Sequence, residues 1–280
     1  SEKKGARATF NTLVDFDNVE ATFIYGIDAL NDVTSQPLVD GRVWVPEMDM
    51  ENLAVFLQSK WVYQDDLIIK AGVRRENIDL LVNDYSTLKL CKTPEVCSVP
   101  VNVIGDTLTY SATTYNVGIR YNWQEYFQPF ANYSQGSDIS DIGRLLRTAT
   151  VNDIADIQTE ASIIDNYEIG FTTVVDNNFR LEFSAYRSTS ELGTTNKYDP
   201  VTGIYMPVRA PQKIYGYEAL AQYTFTKQLD ITATYAWVEG KDTKNDIYLG
   251  AKQISAPKGT INLNWSPVDA ANVAFTYSSS

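Results

Sequence analysis

The sequence contains no histidine. It can therefore supply no Ser-His-Asp triad, no histidine-ligated zinc and no histidine haem ligand, although a segment outside this chain still could. Long apolar runs are also lacking. None approaches the roughly 20 residues of a membrane-spanning helix, and Leu53 to Leu57 is one of the longest. Any membrane span must then be a barrel strand, because only helices and closed barrels satisfy their backbone groups in lipid. Cationic charge is in deficit: 23 Lys and Arg against 35 Asp and Glu leave −12, which argues against a nucleic-acid partner. No signal peptide is visible at Ser1-Glu2-Lys3-Lys4. Walker, Rossmann and Gly-x-Ser-x-Gly motifs are absent, and no catalytic constellation replaces them, so no enzyme is expected.

What is present is a chain of two-sided strands. Aromatic residues make up 12% of the sequence, with 18 Tyr. Strands are expected near Arg7–Phe16, Val19–Leu30, Glu51–Tyr63, Asp66–Leu80, Thr107–Tyr121 and Tyr126–Gln135. Six more are expected near Ile164–Val175, Asn178–Leu192, Lys213–Phe225, Gln228–Glu239, Lys258–Trp265 and Ala271–Ser278. Short turns fall at Asp17-Asn18, Gln64-Asp65, 122–125, Asp176-Asn177, Thr226-Lys227 and 266–270. Long connections fall near 31–50, 81–106, 136–163, 193–212 and 240–257. Short and long connections therefore alternate. That sorting matches outer-membrane barrels, with short periplasmic turns and long extracellular loops.

Within the strands apolar and polar residues alternate. Phe179, Leu181, Phe183 and Ala185 oppose Arg180, Glu182, Ser184 and Tyr186. Leu229, Ile231, Ala233, Tyr235 and Trp237 oppose Asp230, Thr232, Thr234 and Ala236. Period two puts the sets on opposite faces. Trp61, Tyr63, Tyr121, Trp123, Phe225 and Trp265 lie near short-turn ends, where a membrane-interface girdle belongs. The competing reading is a soluble sandwich with aromatics in its core.

Several stretches carry a family resemblance. They include Leu67-Ile-Ile-Lys-Ala-Gly-Val-Arg-Arg-Glu, Phe130-Ala-Asn-Tyr-Ser-Gln-Gly and Asn166-Tyr-Glu-Ile-Gly-Phe. Phe179-Arg-Leu-Glu-Phe-Ser-Ala-Tyr-Arg-Ser and Ile214-Tyr-Gly-Tyr-Glu-Ala follow in order. Together, over most of the chain, they resemble the barrel of TonB-dependent outer-membrane receptors. Ser137-Asp-Ile-Ser-Asp-Ile-Gly-Arg-Leu-Leu-Arg resembles a loop of the ferric-siderophore receptors among them. The resemblance implies an all-β, antiparallel transmembrane β-barrel. Residues 1–280 would form one partial barrel domain, the tenth to twenty-first of about 22 strands. The plug domain, the energy-coupling motif and the last strand would lie outside this chain.

The same resemblance places Cys91 and Cys97 in one extracellular loop. In an oxidising compartment a disulfide is expected there, stiffening the loop by about 2–2.5 kcal/mol. A two-cysteine metal site would need further ligands, and none is expected. The acidic residues Asp138, Asp141, Asp153, Asp156 and Glu160 lack the spacing of a calcium loop and read as a solvated stretch. Loop residues Trp44, Tyr85, Arg144, Arg147, Tyr198, Tyr205 and Arg209 are the candidate ligand-binding set. Aromatic and arginine side chains offer stacking surface and charge pairing to catecholate, hydroxamate or carboxylate groups of a ferric chelate. Loop packing and lipopolysaccharide contact are their plainer uses.

The expected function is therefore an outer-membrane receptor of a Gram-negative bacterium that imports a ferric siderophore. The siderophore is cargo, and no cofactor is expected. The expected partners are outer-membrane lipid and lipopolysaccharide, with TonB acting through the plug segment. Haem, cobalamin or an oligosaccharide are alternative cargoes on the same fold. A passive porin, an outer-membrane lipase (here without its histidine) and a soluble sandwich adhesin are the remaining rivals.

Overall fold

The computed structural model describes residues 1–123, 126–139, 142–157, 161–198, 205–251, 253–268 and 271–279, with the side chains at 92, 193–198 and 205–209 set aside. Twelve long strands follow one another across a single antiparallel sheet. The first six are β1 (Glu2–Phe16), β2 (Val19–Pro37), β3 (Val43–Tyr63), β4 (Leu67–Val82), β5 (Asp106–Tyr121) and β6 (Phe127–Asp138). The rest are β7 (Ser162–Val175), β8 (Phe179–Tyr198), β9 (Tyr205–Thr226), β10 (Leu229–Asp242), β11 (Lys258–Val268) and β12 (Ala271–Ser279). Each strand pairs with its sequence neighbours, which is the wall architecture of a transmembrane β-barrel. Among the described residues β1 pairs only with β2, and β12 only with β11.

The turns explain the short ends. Gln64 and Asp65, and again Asp176 and Asn177, hold positive φ. That geometry matches the right-handed twist of the flanking strands, and Asn and Asp tolerate it best. Residues 124–125 and 269–270 of two expected short turns lie outside the described residues.

The opposite ends differ from expectation. The stretch 31–50 is mostly strand. β2 runs on to Pro37 and β3 begins at Val43, closed by Leu38 N–H donating to the Arg42 carbonyl at 2.7 Å. β8 and β9 likewise extend to Tyr198 and from Tyr205, into the expected loop 193–212. Trp44, Tyr198, Tyr205 and Arg209 are thus strand residues, not loop residues. Past the lipid boundary no face must be apolar, so alternation ends while backbone pairing continues.

Register assigns the faces. Leu57, Val73 and Tyr115 stand on one side of the sheet, well exposed. The same face carries Tyr167, Ile169, Tyr217, Tyr235, Ile261 and Phe275, all at least a third exposed. A file of rings crosses β6 to β10 on it. Phe127 meets Phe171 at 5.2 Å, Phe171 meets Phe183 at 5.9 Å, Phe183 meets Tyr217 at 6.3 Å, and Tyr217 meets Trp237 at 5.5 Å. Apolar and aromatic surface of this extent is stable facing lipid.

The other face carries the charges. Arg7 and Arg74 both donate to Asp28, at 2.5 and 2.7 Å. Arg74 also reaches Glu76, which accepts from Ser137 at 3.0 Å. A wet lumen lets this network cross from β1 to β6 without burying an unpaired charge. Glycines on this face lie under rings from the next strand. A Cβ at Gly26 would meet Phe56 at 2.9 Å, and one at Gly216 would meet the Tyr186 hydroxyl at 2.7 Å. The rings lie flat against the wall there, on backbone that no other residue would leave open.

The face assignment makes a direct prediction. Val117→Arg, at the middle of the outward band, costs about 2–4 kcal/mol in urea unfolding of the protein from lipid vesicles. Thr172→Arg, which points inward beside Glu182, costs under about 1 kcal/mol. Equal costs would overturn the assignment of faces.

Candidate functional site

The long connections after β4 and after β6 form one folded body at the end of the wall opposite the short turns. In the connection 83–105, Tyr85–Ser86 pair with Asn102–Val103, and Cys91 pairs with Cys97 across a small hairpin. Cys91 and Cys97 are joined by a disulfide. Among its described residues the connection after β6 carries one helix, α1 (Ile142–Arg147), and a single 3-10 turn at Ile154–Asp156. Asp153 caps that turn, its carboxylate accepting from the Ala155 N–H at 2.9 Å. One acidic residue of the expected solvated stretch is therefore a cap; Asp141 and Glu160 lie outside the described residues.

The two connections are bonded to each other. Ile104 N–H donates to the Asn152 carbonyl at 2.8 Å, and Ile154 N–H returns to the Ile104 carbonyl at 3.1 Å. Beneath them Leu146 and Ile154, both fully buried, pack with Leu80, Val82, Val103 and Tyr110. This is the largest buried apolar cluster described, and it lies at the loop end of the chain. It makes the loop body a small core in its own right.

Tyr85 fastens α1 to this core. Its hydroxyl donates to the Leu146 carbonyl at 2.8 Å, at the C-terminal end of α1, where that carbonyl also accepts from the Ala149 N–H at 3.2 Å. Burial pushes the phenol above its ordinary range, so it stays a neutral donor. Tyr85 thus acts on α1, a structural use of a residue expected to meet ligand.

Three expected residues converge. The Arg147 guanidinium sits 4.9 Å over the Trp44 ring, joining α1 to the outer end of β3. Arg144 and Arg147 both line a cavity of about 640 Å³ on the inward face. Met48, Met50, Ile78 and Leu80 give its apolar wall, and Asp32 stands at its rim, ion-paired with Lys3 at 2.8 Å. Gly143 leaves room for this approach, because a Cβ there would meet Val45 at 3.0 Å. The lining offers two cations and apolar surface, which suits an anionic chelate with an apolar part. The wall was missed in the sequence. Its signal was the turn from charged to apolar inward residues, from Arg74 and Glu76 to Ile78 and Leu80.

Tyr198, Tyr205 and Arg209 belong to the β8–β9 hairpin, where Tyr198 pairs with Tyr205 and Thr194 with Arg209. Their side chains lie outside the described residues.

The comparisons with known proteins agree with this fold. A family model described as "TonB dependent receptor-like, beta-barrel" matches residues 3–280. The chain is 25% identical over 248 residues to the ferric aerobactin receptor of Klebsiella pneumoniae, covering 79% of this chain and 32% of that protein. It is 23% identical over 251 residues to the rhizobactin receptor of Rhizobium meliloti strain 1021, covering 82% and 33%. The chain thus spans about a third of the length of the curated relatives it matches. Among solved structures, the Serratia marcescens hemophore receptor HasR superposes with a TM-score of 0.75 at 14% identity, over 98% of this chain and 50% of that one. At that identity the likeness is one of fold.

Tyr85→Phe tests the fastening of the loop body. Loss of its hydrogen bond costs about 1 kcal/mol, read as roughly fivefold faster amide exchange across α1. The raised phenol pKa sets the pH window. Its contribution is complete below the ordinary tyrosine value of about 10 and declines as pH rises above that value. Unchanged exchange in the variant would show that packing alone holds α1.

Proposed function

This chain belongs to the TonB-dependent receptor-like β-barrel family, and we propose that it is part of the barrel wall of a receptor that takes up a ferric siderophore across the outer membrane of a Gram-negative bacterium. The family consists of transport receptors, not enzymes. The relatives named for aerobactin and rhizobactin support a siderophore as cargo. In the complete protein the ligand would settle at the loop end of the lumen, and TonB would act through a plug segment.

The observation that carries the reading is the placing of Arg144 and Arg147 at one cavity facing the lumen, with Arg147 held over the Trp44 ring. A ferric chelate brings negative charge and flat or apolar ligand arms. Arginine pairs with carboxylate-like oxygens in a fixed fork, and the apolar wall of Met48, Met50, Ile78 and Leu80 receives the rest. Arg147 held over Trp44 is preorganised, which reduces the ordering cost of binding. The buried loop core keeps α1 in place for the same purpose.

The full-length receptor in detergent, titrated with ferric siderophores, their iron-free forms, haem and cobalamin, tests this by tryptophan fluorescence. One ferric siderophore should quench with sub-micromolar affinity and its iron-free form should not. Arg144→Gln and Arg147→Gln should each weaken binding about tenfold, the size of a lost charge-assisted bond. Binding of cobalamin or a glycan in place of every iron chelate would overturn the cargo. Full affinity in both arginine variants would move the site elsewhere on the loops.

A further inference from the structure

A second cavity lies on the inward face, toward the end of the lumen opposite the ligand cavity. It measures about 700 Å³, and Lys60, Lys70, Arg120, Asn132 and Glu168 help to line it. Lys70 sits three residues past Leu67, where β4 leaves the Gln64-Asp65 turn. Leu80 of the ligand cavity is ten residues further along the same strand, about 33 Å away at a rise of about 3.3 Å per residue. The two cavities are separate.

Register gathers the cations. Lys60 stands directly opposite Lys70. Lys70 stands opposite Gly118, and Arg120 is the next inward residue of β5 toward the turn. Cβ atoms so related lie about 5 Å apart when opposite and about 7 Å when diagonal, and like charges there repel. Gly118 keeps the floor of the cavity open, because a Cβ there would meet Asn132 at 2.5 Å. All three cations are exposed. Among the described residues the Lys60 and Lys70 side chains make no ion pair and no hydrogen bond. Arg120 donates to Gln128, which is neutral.

Nearby acids do not cancel this charge. Glu168 is the one carboxylate of the lining, against three cations, and it already accepts from the Asn132 amide at 3.3 Å. Glu20 is diagonal to Lys60, outside the lining, and pairs with none of the three. The row through Lys60 and Lys70 meets its first acid at Glu168 on β7, and the row through Arg120 meets its own at Glu218 on β9. Along these rows the wall is cationic on β3 to β5 and acidic on β7 to β9, in a chain of net charge −12.

We propose that Lys60, Lys70 and Arg120 form a second anion station at the turn end of the lumen, on which an anionic ferric chelate rests after it leaves the loop-end cavity. The proposal rests on the ferric-chelate reading above and adds the side of the wall along which the cargo departs. Charge selects an anion, and the loose lysines select a guest that leaves. Arg147 is fixed over Trp44, whereas Lys60 and Lys70 are compact charges on flexible stems that nothing orients. A station on a path must bind strongly enough to fill and weakly enough to empty. Arg74, four residues above Lys70 on β4, is already occupied by Asp28 and Glu76 and does not compete between the two cavities.

Site-resolved quenching in the full-length receptor tests it. Thr22 faces Lys60 from β2 and stands outside the lining, so Thr22→Cys can carry a thiol-linked fluorophore that nearby ferric iron quenches. Ferric citrate is the anionic iron chelate and ferrioxamine B the cationic one. Ferric citrate should quench the label, with a midpoint that rises as salt is added, and ferrioxamine B should not. K60Q/K70Q/R120Q should raise the ferric citrate midpoint about thirtyfold, and Lys70→Gln alone about fivefold. Arg75→Gln removes an outward cation and should leave the midpoint unchanged. No quenching by ferric citrate up to millimolar concentration, equal quenching by both chelates, or an unchanged midpoint in the triple variant would each overturn the proposal. Heat-modifiable migration reports that each variant has folded, and the single Lys70→Gln variant decides the matter if the triple one has not. The ferric-siderophore titration of the wild-type receptor scores the loop-end reading separately: loss of every siderophore there would strike the cargo, while the label still reports the station.

Discussion

Lipid offers the backbone no hydrogen-bond partner, and every feature of this chain follows from that one constraint. Each N–H and C=O inside the bilayer must be paired with a neighbouring strand. Twelve strands in sequence order meet the requirement with the shortest connections available. Pairing fixes register, register fixes which side chains share a face, and a single-residue slip would turn Leu181 and Phe183 into the lumen and Arg180 and Glu182 into lipid. The turns at Gln64-Asp65 and Asp176-Asn177 hold that register at one end.

Once the faces are set, the two solvents shape them differently. The lipid side accumulates rings and aliphatic residues whose contacts, such as Phe171 with Phe183, run across strands. The lumen side tolerates Arg7, Asp28, Arg74 and Glu76 together, because water and mutual pairing offset desolvation. The buried core moves to a place where a barrel wall has none. It sits beneath the loops, around Leu146 and Ile154, and gives flexible connections a fixed shape.

The wall was legible in the sequence because period-two alternation is what the lipid demands. All twelve strands and their order could be read from it. Their outer ends could not, since β2 past Leu30 and β3 before Glu51 leave the lipid and lose the pattern while they keep their partners. The site was legible as residue types only. Arg144, Arg147 and Trp44 stood out as arginine and aromatic residues far from short turns, but nothing local says that a helix turn and a distant strand end would meet. Tyr85 has the same composition signal and a different use, which only the position of the Leu146 carbonyl reveals. The apolar wall of Met48, Met50, Ile78 and Leu80 was hidden because inward methionine and isoleucine look like errors in a barrel alternation.

Charge also marks the two membrane boundaries, and register shows how they run. On β4 the outward face is apolar from Leu67 until Arg75; on β8 it is apolar from Phe179 until Arg187. The two bands are equally long. They do not lie on one hydrogen-bonded row, however. The row through Arg187 passes Tyr167, Tyr133 and Val117 and reaches β4 at Ala71, short of Arg75. The row through Leu67 passes Tyr121, and by the same register meets β8 at Phe183, beyond Phe179. Both boundaries thus slide by one residue for each strand crossed, in the same direction. With a rise of about 3.3 Å per residue and a strand spacing of about 4.8 Å, that slide is a tilt of roughly 35°, within the range barrel closure requires. Seen at this tilt the apolar stretch stands roughly 22 Å tall, close to the outer-membrane band of about 25 Å. The placement of two arginines therefore carries the strand inclination of the barrel, because a cation inside that band would cost more than the register could absorb.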